Sequence, residues 1–319
     1  MQAAARLELV VTDVRSEARD VIVLELRDPG RGALPRFTPG AHLELYLPNG
    51  LIRHYSLCND AAETDRYCLG VSLARDSRGG SRFMHQNLRV GTKLSTSVPR
   101  NNFPLELAAE EFVFIAGGIG ITPILSMIRS SVAANRPWRL FYCARNRQRA
   151  AFYEDLSALA PDRVYFHFDD EQQGRLFDAA SALRLAGDGA HIYTCGPAPL
   201  MKAVESATMD RPADRVHFEW FSAAATDTRA DTAFTVVLRN SGARFEVPPG
   251  RSILEVLEDH GAGVPYSCRE GLCATCRTTV LAGEVDHRDT VLTVAEKAGN
   301  REMMICVSRA KSEVLELDL

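Results

Sequence analysis

The first hundred residues alternate short apolar runs with residues that form turns. The strand-like runs are Leu7–Val14, Val21–Arg27, His42–Leu47 and Tyr67–Leu73. Turn sequences such as Asp28-Pro29-Gly30 and Pro48-Asn49-Gly50 separate these runs. Runs of this length and spacing predict an antiparallel β-barrel, which we place at residues 1–106.

From residue 107 onward, the apolar runs are separated by longer intervals than in the first hundred residues. Apolar runs lie at Phe112–Ala116, Leu140–Cys143, Val164–Phe168 and His191–Cys195. The stretches between them have helical character and include Ile124–Val132, Ala151–Leu159 and Asp178–Ala186. Strands that alternate with helices indicate βαβ units and a parallel sheet, so we expect an α/β domain over residues 107–222.

A third pattern follows a short polar segment. Residues 223–232 are small and polar, with nothing to bury, and we assign them as a linker. Two strand patterns come next, at Phe234–Arg239 and Arg244–Val247. Ser252 and Glu255 then predict the capping box of a helix that ends at Gly261. These elements predict a third domain, residues 233–319.

Charge and composition narrow the class of partner. The chain has 319 residues and a formal net charge of −4, which argues against nucleic acid as a partner because phosphate binding needs a basic surface. The first ten residues contain no apolar stretch typical of a signal peptide. The uncharged run Phe112–Ile128 contains three glycines and a Thr-Pro pair, which fits a buried strand and helix better than a membrane span. We therefore expect a cytoplasmic protein that does not bind a membrane.

Four of the eight cysteines form a spaced cluster near the C-terminal end. Cys268, Cys273, Cys276 and Cys306 follow the pattern Cys-x4-Cys-x2-Cys-x29-Cys. This is the spacing of plant-type [2Fe–2S] ferredoxins, whereas zinc sites favour paired Cys-x2-Cys units and only one such pair is present. We predict that the four thiolates bind a [2Fe–2S] cluster. The cysteines at positions 58, 68 and 143 are interpreted as small buried side chains.

Two strand ends in the α/β domain carry glycine turns that suit a dinucleotide. The first turn contains Gly117, Gly118, Gly120 and Thr122, and the second contains Cys195, Gly196 and Pro197. We expect Thr122 to cap the helix that follows, where free N–H groups favour a phosphate. Both turns lie at the carboxyl edge of the predicted sheet, where open α/β sheets bind ligands. Cys195 could be a core thiol, but its place beside Gly-Pro favours contact with a nicotinamide.

A strand and a turn in the barrel domain suit a second phosphate-bearing ligand. The strand contains Arg53, Tyr55 and Ser56, and the turn contains Gly79, Gly80 and Ser81. Alternation places Arg53 and Tyr55 on one face of the strand and Ser56 on the other. A ring and a cation on one face suit a flavin and its phosphate, while an exposed Arg–Tyr pair on a barrel strand is the alternative. We expect Ser81 to cap a short helix beside that phosphate.

In this order, the three groups of motifs resemble the ferredoxin reductase superfamily. The match is to its phthalate dioxygenase reductase and vanillate demethylase reductase type, and it covers essentially the whole chain. That type joins a flavin-binding barrel, a nicotinamide domain and a C-terminal plant-type ferredoxin domain. The resemblance therefore implies a multidomain α/β and β protein whose last domain has the β-grasp fold.

The resemblance also assigns roles to individual residues. It implies that Arg53, Tyr55 and Ser56 contact the flavin, and that Gly79, Gly80 and Ser81 hold the FMN phosphate. It places the nicotinamide dinucleotide on Gly117, Gly118, Gly120, Thr122, Cys195, Gly196 and Pro197. The superfamily closes its nicotinamide domain with an acidic residue and then an aromatic one. This implies that Glu219 lies near the hydride path and that Phe221 covers the ring, with Phe218 and Trp220 as rival aromatics. The implied catalytic residues are Ser56, Cys195, Glu219 and Phe221.

The implied activity is that of a reductase component with three cofactors. A hydride would pass from NADH to FMN, and single electrons would pass through the [2Fe–2S] cluster to a terminal oxygenase of Rieske type. Two alternatives stay open, namely the same electron chain serving a cytochrome P450 and a non-catalytic iron–sulfur redox sensor. FMN over FAD and NADH over NADPH rest on the resemblance. Arg145, Arg147 and Arg149 could meet the 2′-phosphate of NADPH.

Overall fold

The structure is a computed structural model that describes residues 6–75, 77–222 and 231–319. The chain divides into two compact units, Met1–Phe221 and Ser222–Leu319. Most of the predicted linker, residues 223–230, lies outside the described residues. Among the described residues, none of the helices has the length and apolar character needed to span a bilayer.

The first unit begins with a six-stranded antiparallel sheet and one helix. These elements are β1 (Arg6–Ala18), β2 (Val21–Arg27), β3 (His42–Tyr46), β4 (Ile52–Ser56), β5 (Tyr67–Ser72), α1 (Gly80–Asn87) and β6 (Lys93–Ser97). The strand order is β4-β3-β6-β1-β2-β5, and an isolated antiparallel bridge between Leu57 and Leu69 joins the two edge strands. This bridge closes the sheet into the predicted barrel, which removes exposed edges.

The same unit continues with a parallel sheet and its helices. These are β7 (Glu111–Gly117), α2 (Ile121–Ala133), β8 (Trp138–Ala144), α3 (Tyr153–Leu159), β9 (Val164–Phe168), α4 (Ala179–Leu183), β10 (Ala190–Cys195), α5 (Ala198–Ala207) and β11 (Val216–Glu219). The strand order is β11-β10-β7-β8-β9, and every pair is parallel. The order reverses between β7 and β10, so the crevice expected for a ligand lies there.

The barrel and the parallel sheet share one apolar core. Val21 and Val23 of the barrel belong to the same buried cluster as Phe114 of β7 and Ile124 of α2. The approach is close, because a side chain at Gly70 of β5 would place its Cβ 2.6 Å from the Thr122 methyl group. Residues of the barrel and residues of the sheet are therefore held in fixed relation within this unit.

Over residues 231–319, the second unit contains a mixed five-stranded sheet, a two-stranded sheet and two helices. Its elements are β12 (Phe234–Leu238), β13 (Arg244–Val247), α6 (Ile253–Asp259), β14 (Arg277–Ala282), β15 (Val285–Asp286), α7 (Val294–Gly299), β16 (Glu302–Met304), β17 (Arg309–Ala310) and β18 (Val314–Leu317). The order is β13-β12-β18-β14-β16, with β12 and β18 parallel. Both hydrogen bonds of the predicted capping box are present, since Ser252 N donates to Glu255 Oε2 (2.8 Å) and Glu255 N donates to Ser252 Oγ (3.2 Å).

Two predicted helix caps are wrong. Helix α1 begins after Gly79, which is left-handed (φ 93°), and the Ser81 hydroxyl donates to Ser77 Oγ (3.0 Å) instead of capping. Helix α2 begins after Gly120, and Thr122 lies within its first turn, where its hydroxyl donates to the Ile119 carbonyl (2.9 Å). In both turns the glycines lead the chain directly into the helix, so the hydroxyl residue comes too late to be the N-cap.

Candidate functional site

The proposed flavin residues on β4 lie against the start of α1. A side chain at Gly80 would place its Cβ only 2.5 Å from Arg53 Nε, so the glycine makes room for the guanidinium group. One Arg53 nitrogen donates to the Arg78 carbonyl (3.2 Å), which holds the cation beside the helix N-terminus. A fixed cation and the first N–H groups of a helix together fit a phosphate group.

Tyr55 and Ser56 face different surroundings, as strand alternation predicts. Tyr55 packs at the margin of the barrel core, and burial raises the pKa of its hydroxyl to about 12. Ser56 is buried, and its hydroxyl interacts with the Glu219 carboxyl group from the parallel sheet. The strand therefore presents a ring on one side and contacts the neighbouring sheet on the other.

The two glycine turns of the parallel sheet meet at its carboxyl edge. A Cβ at Gly196 would lie 3.0 Å from Gly117 Cα, so the two backbones touch. Gly120 has even less room, because a Cβ there would lie 2.2 Å from the Cys195 carbonyl oxygen. The predicted nicotinamide residues are thus brought together. Glycine is needed at these positions at least partly because the two turns pack against each other. A phosphate that binds close to the backbone would add a second reason.

Cys195 and Glu219 are neighbours at the ends of β10 and β11. The parallel register pairs the two residues directly, and Cys195 is fully buried. Burial raises the pKa of Glu219 to about 8, although the Ser56 hydroxyl partly offsets this, and burial also raises the pKa of the Cys195 thiol well above its usual range. Both groups are therefore uncharged near neutral pH. Among the described residues, Glu219 Oε2 has no hydrogen-bond partner although it is buried.

Strand alternation separates the rival aromatics. Phe218 of β11 packs into an apolar cluster with residues of β7 and β10, on the face opposite to Glu219. Trp220 stacks with Phe218, with ring centroids 6.5 Å apart. Phe221 is 40% exposed and is not engaged in that cluster. Of the three aromatics, Phe221 is therefore the one best placed to cover a bound ring.

The four cysteines of the predicted cluster lie together in the second unit. Cys273, Cys276 and Cys306 are buried, and Cys268 is half-buried. Hydrogen bonds with the thiols of Cys273 and Cys306 lower the pKa of Cys268, and a hydrogen bond with Cys306 lowers the pKa of Cys276. These contacts link all four sulfur atoms, and four thiols in one pocket are the ligand set of a [2Fe–2S] cluster.

In the loop that carries three of these cysteines, backbone N–H groups point toward the cysteine sulfur atoms. The N–H groups of Glu270 and Leu272 donate to Cys268 Sγ (3.3 and 3.5 Å), and Cys268 N donates to Cys273 Sγ (3.5 Å). Such N–H···S bonds stabilise thiolates and help to set a cluster potential. Gly271 is left-handed (φ 69°), and a Cβ there would lie 2.6 Å from Val307, next to Cys306. The absence of a side chain at Gly271 therefore lets the loop lie close to the segment with the fourth cysteine.

Sequence reasoning missed Asp289, which supports the same loop. Its carboxylate is fully buried and accepts hydrogen bonds from Val291 N (3.1 Å), Leu292 N (2.8 Å) and Ser308 Oγ (3.4 Å). The neighbouring Thr290 N donates to the Gly271 carbonyl (3.2 Å). Asp289 thus connects the cysteine loop with the segment after Cys306. A single aspartate between two polar residues carries no sequence pattern that could have identified it.

Models of two protein families match parts of the chain. Residues 114–206 match the oxidoreductase NAD-binding domain, and residues 236–311 match the 2Fe-2S iron-sulfur cluster binding domain. The first range contains both glycine turns, and the second contains all four clustered cysteines.

Two curated relatives are similar over nearly the whole chain. Tetrachlorobenzoquinone reductase of Sphingobium chlorophenolicum is 45% identical and is aligned over 98% of both chains. Vanillate O-demethylase oxidoreductase of a Pseudomonas species is 44% identical, over 98% of this chain and 100% of the relative.

Two solved structures resemble the chain in fold and sequence. A phthalate dioxygenase reductase, described as a modular structure for electron transfer from pyridine nucleotides to [2Fe–2S], is 43% identical with a TM-score of 0.75. That match covers 99% of this chain and 98% of the other. An intact type IV self-sufficient cytochrome P450 monooxygenase is 36% identical with a TM-score of 0.87, over 98% of this chain and 41% of that longer one.

Proposed function

Because the chain belongs to the family of phthalate dioxygenase and vanillate demethylase reductases, we propose that it is the reductase component of an oxygenase system. It takes a hydride from NADH and delivers single electrons to a terminal oxygenase. Family membership confirms the predicted fold class, the oxidoreductase activity and the cofactor set of FMN, NADH and a [2Fe–2S] cluster. It also excludes the alternative of a non-catalytic redox sensor.

One observation carries the assignment of the hydride site. Ser56 from the barrel and Cys195 and Glu219 from the parallel sheet converge within one compact unit. The site is uncharged near neutral pH, which suits a flavin ring stacked on a nicotinamide. Cofactor chemistry needs orientation from the protein, and a site built across a shared core supplies it.

Further residues take the cofactor-binding roles. Arg53 with Gly79, Gly80 and Ser81 holds the FMN phosphate, and Tyr55 lies along the flavin. The two turns that meet at the sheet edge hold the dinucleotide through Gly117, Gly118, Gly120, Thr122, Gly196 and Pro197. Phe221, which is 40% exposed, would cover the flavin ring. Cys268, Cys273, Cys276 and Cys306 ligate the cluster. When bound, FMN accepts two electrons as a hydride and the cluster carries one electron at a time.

Glu219 holds a proton at this site and can donate it. Its carboxyl group is protonated below about pH 8 and lies beside the Ser56 hydroxyl. A neutral acid in a dry pocket can donate a hydrogen bond to the nicotinamide amide or exchange a proton at the ring.

The electron acceptor is a terminal oxygenase of Rieske type that acts on an aromatic compound. The vanillate and phthalate enzymes among the relatives support this choice. A cytochrome P450 is the second candidate, because a self-sufficient P450 contains a similar reductase within its own chain. We propose domains at 1–106, 107–222 and 233–319, joined by the linker 223–232. We place the protein in the cytoplasm, where cysteines that form no disulfide stay reduced and available to bind metal.

The test uses the full-length protein as purified. Heat should release FMN, and iron and sulfide should each be present at two atoms per chain. NADH should reduce ferricyanide rapidly, and a Rieske oxygenase encoded nearby should turn over when this protein and NADH are supplied. Release of FAD, or zinc in place of iron, would overturn the cofactor assignment. Turnover of a P450 but of no Rieske oxygenase would favour the second acceptor.

A further inference from the structure

The oxidation of NADH releases a proton that the electron acceptors do not take. Each NADH gives up two electrons and one proton as it becomes NAD⁺, and an iron–sulfur cluster carries electrons alone. One proton per NADH therefore has to leave the proposed hydride site. Ser56 and Cys195 are buried there, and so is Oε2 of Glu219, so the proton needs polar side chains that lead it to the surface.

The Glu219 carboxyl group has one oxygen on each side of such a path. The Ser56 hydroxyl interacts with this carboxyl group, and Oε2 is the oxygen that has no hydrogen-bond partner among the described residues. The contact with Ser56 is therefore made by Oε1. A proton can enter the carboxyl group at Oε2 and leave it from Oε1 toward the Ser56 hydroxyl.

His42 of β3 is the neighbour of Ser56 on the outer face of the barrel. The two residues lie directly opposite each other in the antiparallel register of β3 and β4. Both backbone hydrogen bonds of His42 are made with Arg100 on its other side (2.8 and 3.0 Å), so His42 and Ser56 form a non-hydrogen-bonded pair. In such a pair the two side chains project from the same face and lie especially close together.

His54 continues from His42 toward the surface. It precedes Ser56 by two residues on β4 and therefore shares its face. The ring centroids of His42 and His54 are 5.2 Å apart. Exposure increases in the same direction, because Ser56 is 4% exposed, His42 is 6% exposed and His54 is half-buried. These three side chains thus connect the buried carboxyl group of Glu219 with the outside of the barrel.

An ion pair borders the two imidazole rings. Glu44 lies opposite His54 in the register, and its buried carboxylate accepts hydrogen bonds from Arg100 (2.7 Å) and from the Tyr46 hydroxyl (2.9 Å). Glu44 and Arg100 are the charged side chains that face the rings from β3 and from the segment after β6. Their opposite charges offset each other, so net charge neither strongly repels nor strongly holds a proton on the rings.

We propose that His42 and His54 form the outlet through which this proton leaves the hydride site. The inference rests on the proposed function, because it assumes that NADH is oxidised beside Glu219. Each group from Glu219 to His54 accepts a proton on the side of the site and passes one on toward the surface. Only O–H and N–H bonds break and form, and every group ends with the protons it had at the start. Imidazole suits such a transfer because it gains and loses a proton near neutral pH.

The first test compares His42→Gln and His54→Gln with the control His191→Gln. Glutamine forms hydrogen bonds but does not carry a proton near neutral pH. With NADH and ferricyanide, kcat should fall about threefold in both outlet variants, and the solvent deuterium isotope effect on kcat should rise above about 2 because proton release limits the rate. His191 is a half-buried histidine of β10 that contacts His217 (3.1 Å), and its replacement should change neither value. Added imidazole should restore most of the rate of His54→Ala.

A second measurement does not depend on turnover. In the oxidised full-length protein with ¹⁵N-labelled histidine, the ring signals of His42 should show an inflection near pH 8, because Glu219 has a pKa of about 8 and ionises on the other side of Ser56. The inflection should disappear in Glu219→Gln. The ring signals of His191 should lack it.

Several outcomes would overturn the inference. They are an unchanged isotope effect in both outlet variants, an equal loss of kcat in His191→Gln, and a His42 signal without the inflection near pH 8. His54 is half-buried, so His54→Gln keeps the test valid if His42→Gln does not fold. Failure of the proposed function is distinguishable, because the unmodified protein would then not oxidise NADH at all.

Discussion

The hydride site and the cluster site are built in opposite ways. The proposed hydride site joins Ser56, Cys195 and Glu219, which are far apart in sequence and meet only because barrel and sheet share a core. The cluster site takes three of its four cysteines from nine consecutive residues, and local N–H groups point at their sulfurs. The first site depends on long-range packing, whereas the second depends on one loop and its anchor.

This difference predicts different responses to damage. Altering one residue at the hydride site leaves the surrounding core intact, so a graded loss is expected. Removing one cluster ligand eliminates a metal centre that also holds its own loop in place, so an all-or-none loss is expected. The following predictions test that contrast, beginning with the largest effect.

The largest effect is expected for Cys273→Ser. Loss of this ligand should abolish the visible absorbance of the cluster and lower electron transfer to cytochrome c by about 100-fold or more. NADH oxidation with ferricyanide should remain within about twofold of the unmodified protein, because ferricyanide can take electrons from the flavin. The half-buried Cys143 serves as control, and Cys143→Ser should keep both activities. Equal loss of both activities in Cys273→Ser would show that the two sites are not separable.

The contrast also explains what the sequence could predict. The cysteine loop was recognisable because its ligands and their spacing lie in one short segment. Many strands were recognisable from short apolar or alternating runs bounded by turn residues, and β2, β9 and β13 have the predicted bounds. The pairing of Cys195 with Glu219 was not predicted, because nothing local in the sequence links residues in different strands.

Other features could not be predicted because they depend on tertiary contacts. Strand β6 has the sequence KLSTS, which lacks an apolar run, and it forms because β1 and β3 pair with it on both sides. The helix caps were wrong because Gly79 and Gly120 enter their helices under constraints from neighbouring segments. Asp289 was missed because its partners come from separate parts of the chain.

A smaller effect is expected for Asp289→Asn. An amide cannot accept the same set of hydrogen bonds from Val291, Leu292 and Ser308, so the free energy of unfolding of the second unit should fall by about 2 kcal/mol. The cluster should also bleach several-fold faster in air, while NADH oxidation with ferricyanide should not change. The exposed pair of Glu284 with Lys311 provides the control variant Glu284→Gln. Cluster lifetimes that are equal in the two variants would show that Asp289 does not support the loop.

The smallest effect at neutral pH is expected for Glu219→Gln, where a neutral amide replaces an acid that is already neutral. With a pKa of about 8, the carboxyl group is protonated at pH 7, so kcat with ferricyanide should fall only about threefold. Above pH 8 the unmodified protein should lose activity with a one-proton slope, and the variant should not show that loss.

The pH dependence of stability tests the pKa of the Glu219 carboxyl group independently of activity. Its pKa is higher in the folded protein than the usual value of 4.5, so its ionisation opposes folding. The free energy of unfolding of the unmodified protein should therefore decrease between about pH 4.5 and pH 8 relative to Glu219→Gln, and the difference should level off above pH 8. Thermal melts at pH 5, 7 and 9 would measure it. A constant difference across this range would mean that Glu219 is ionised in the folded protein at its ordinary pKa, and the hydride site would then hold a negative charge.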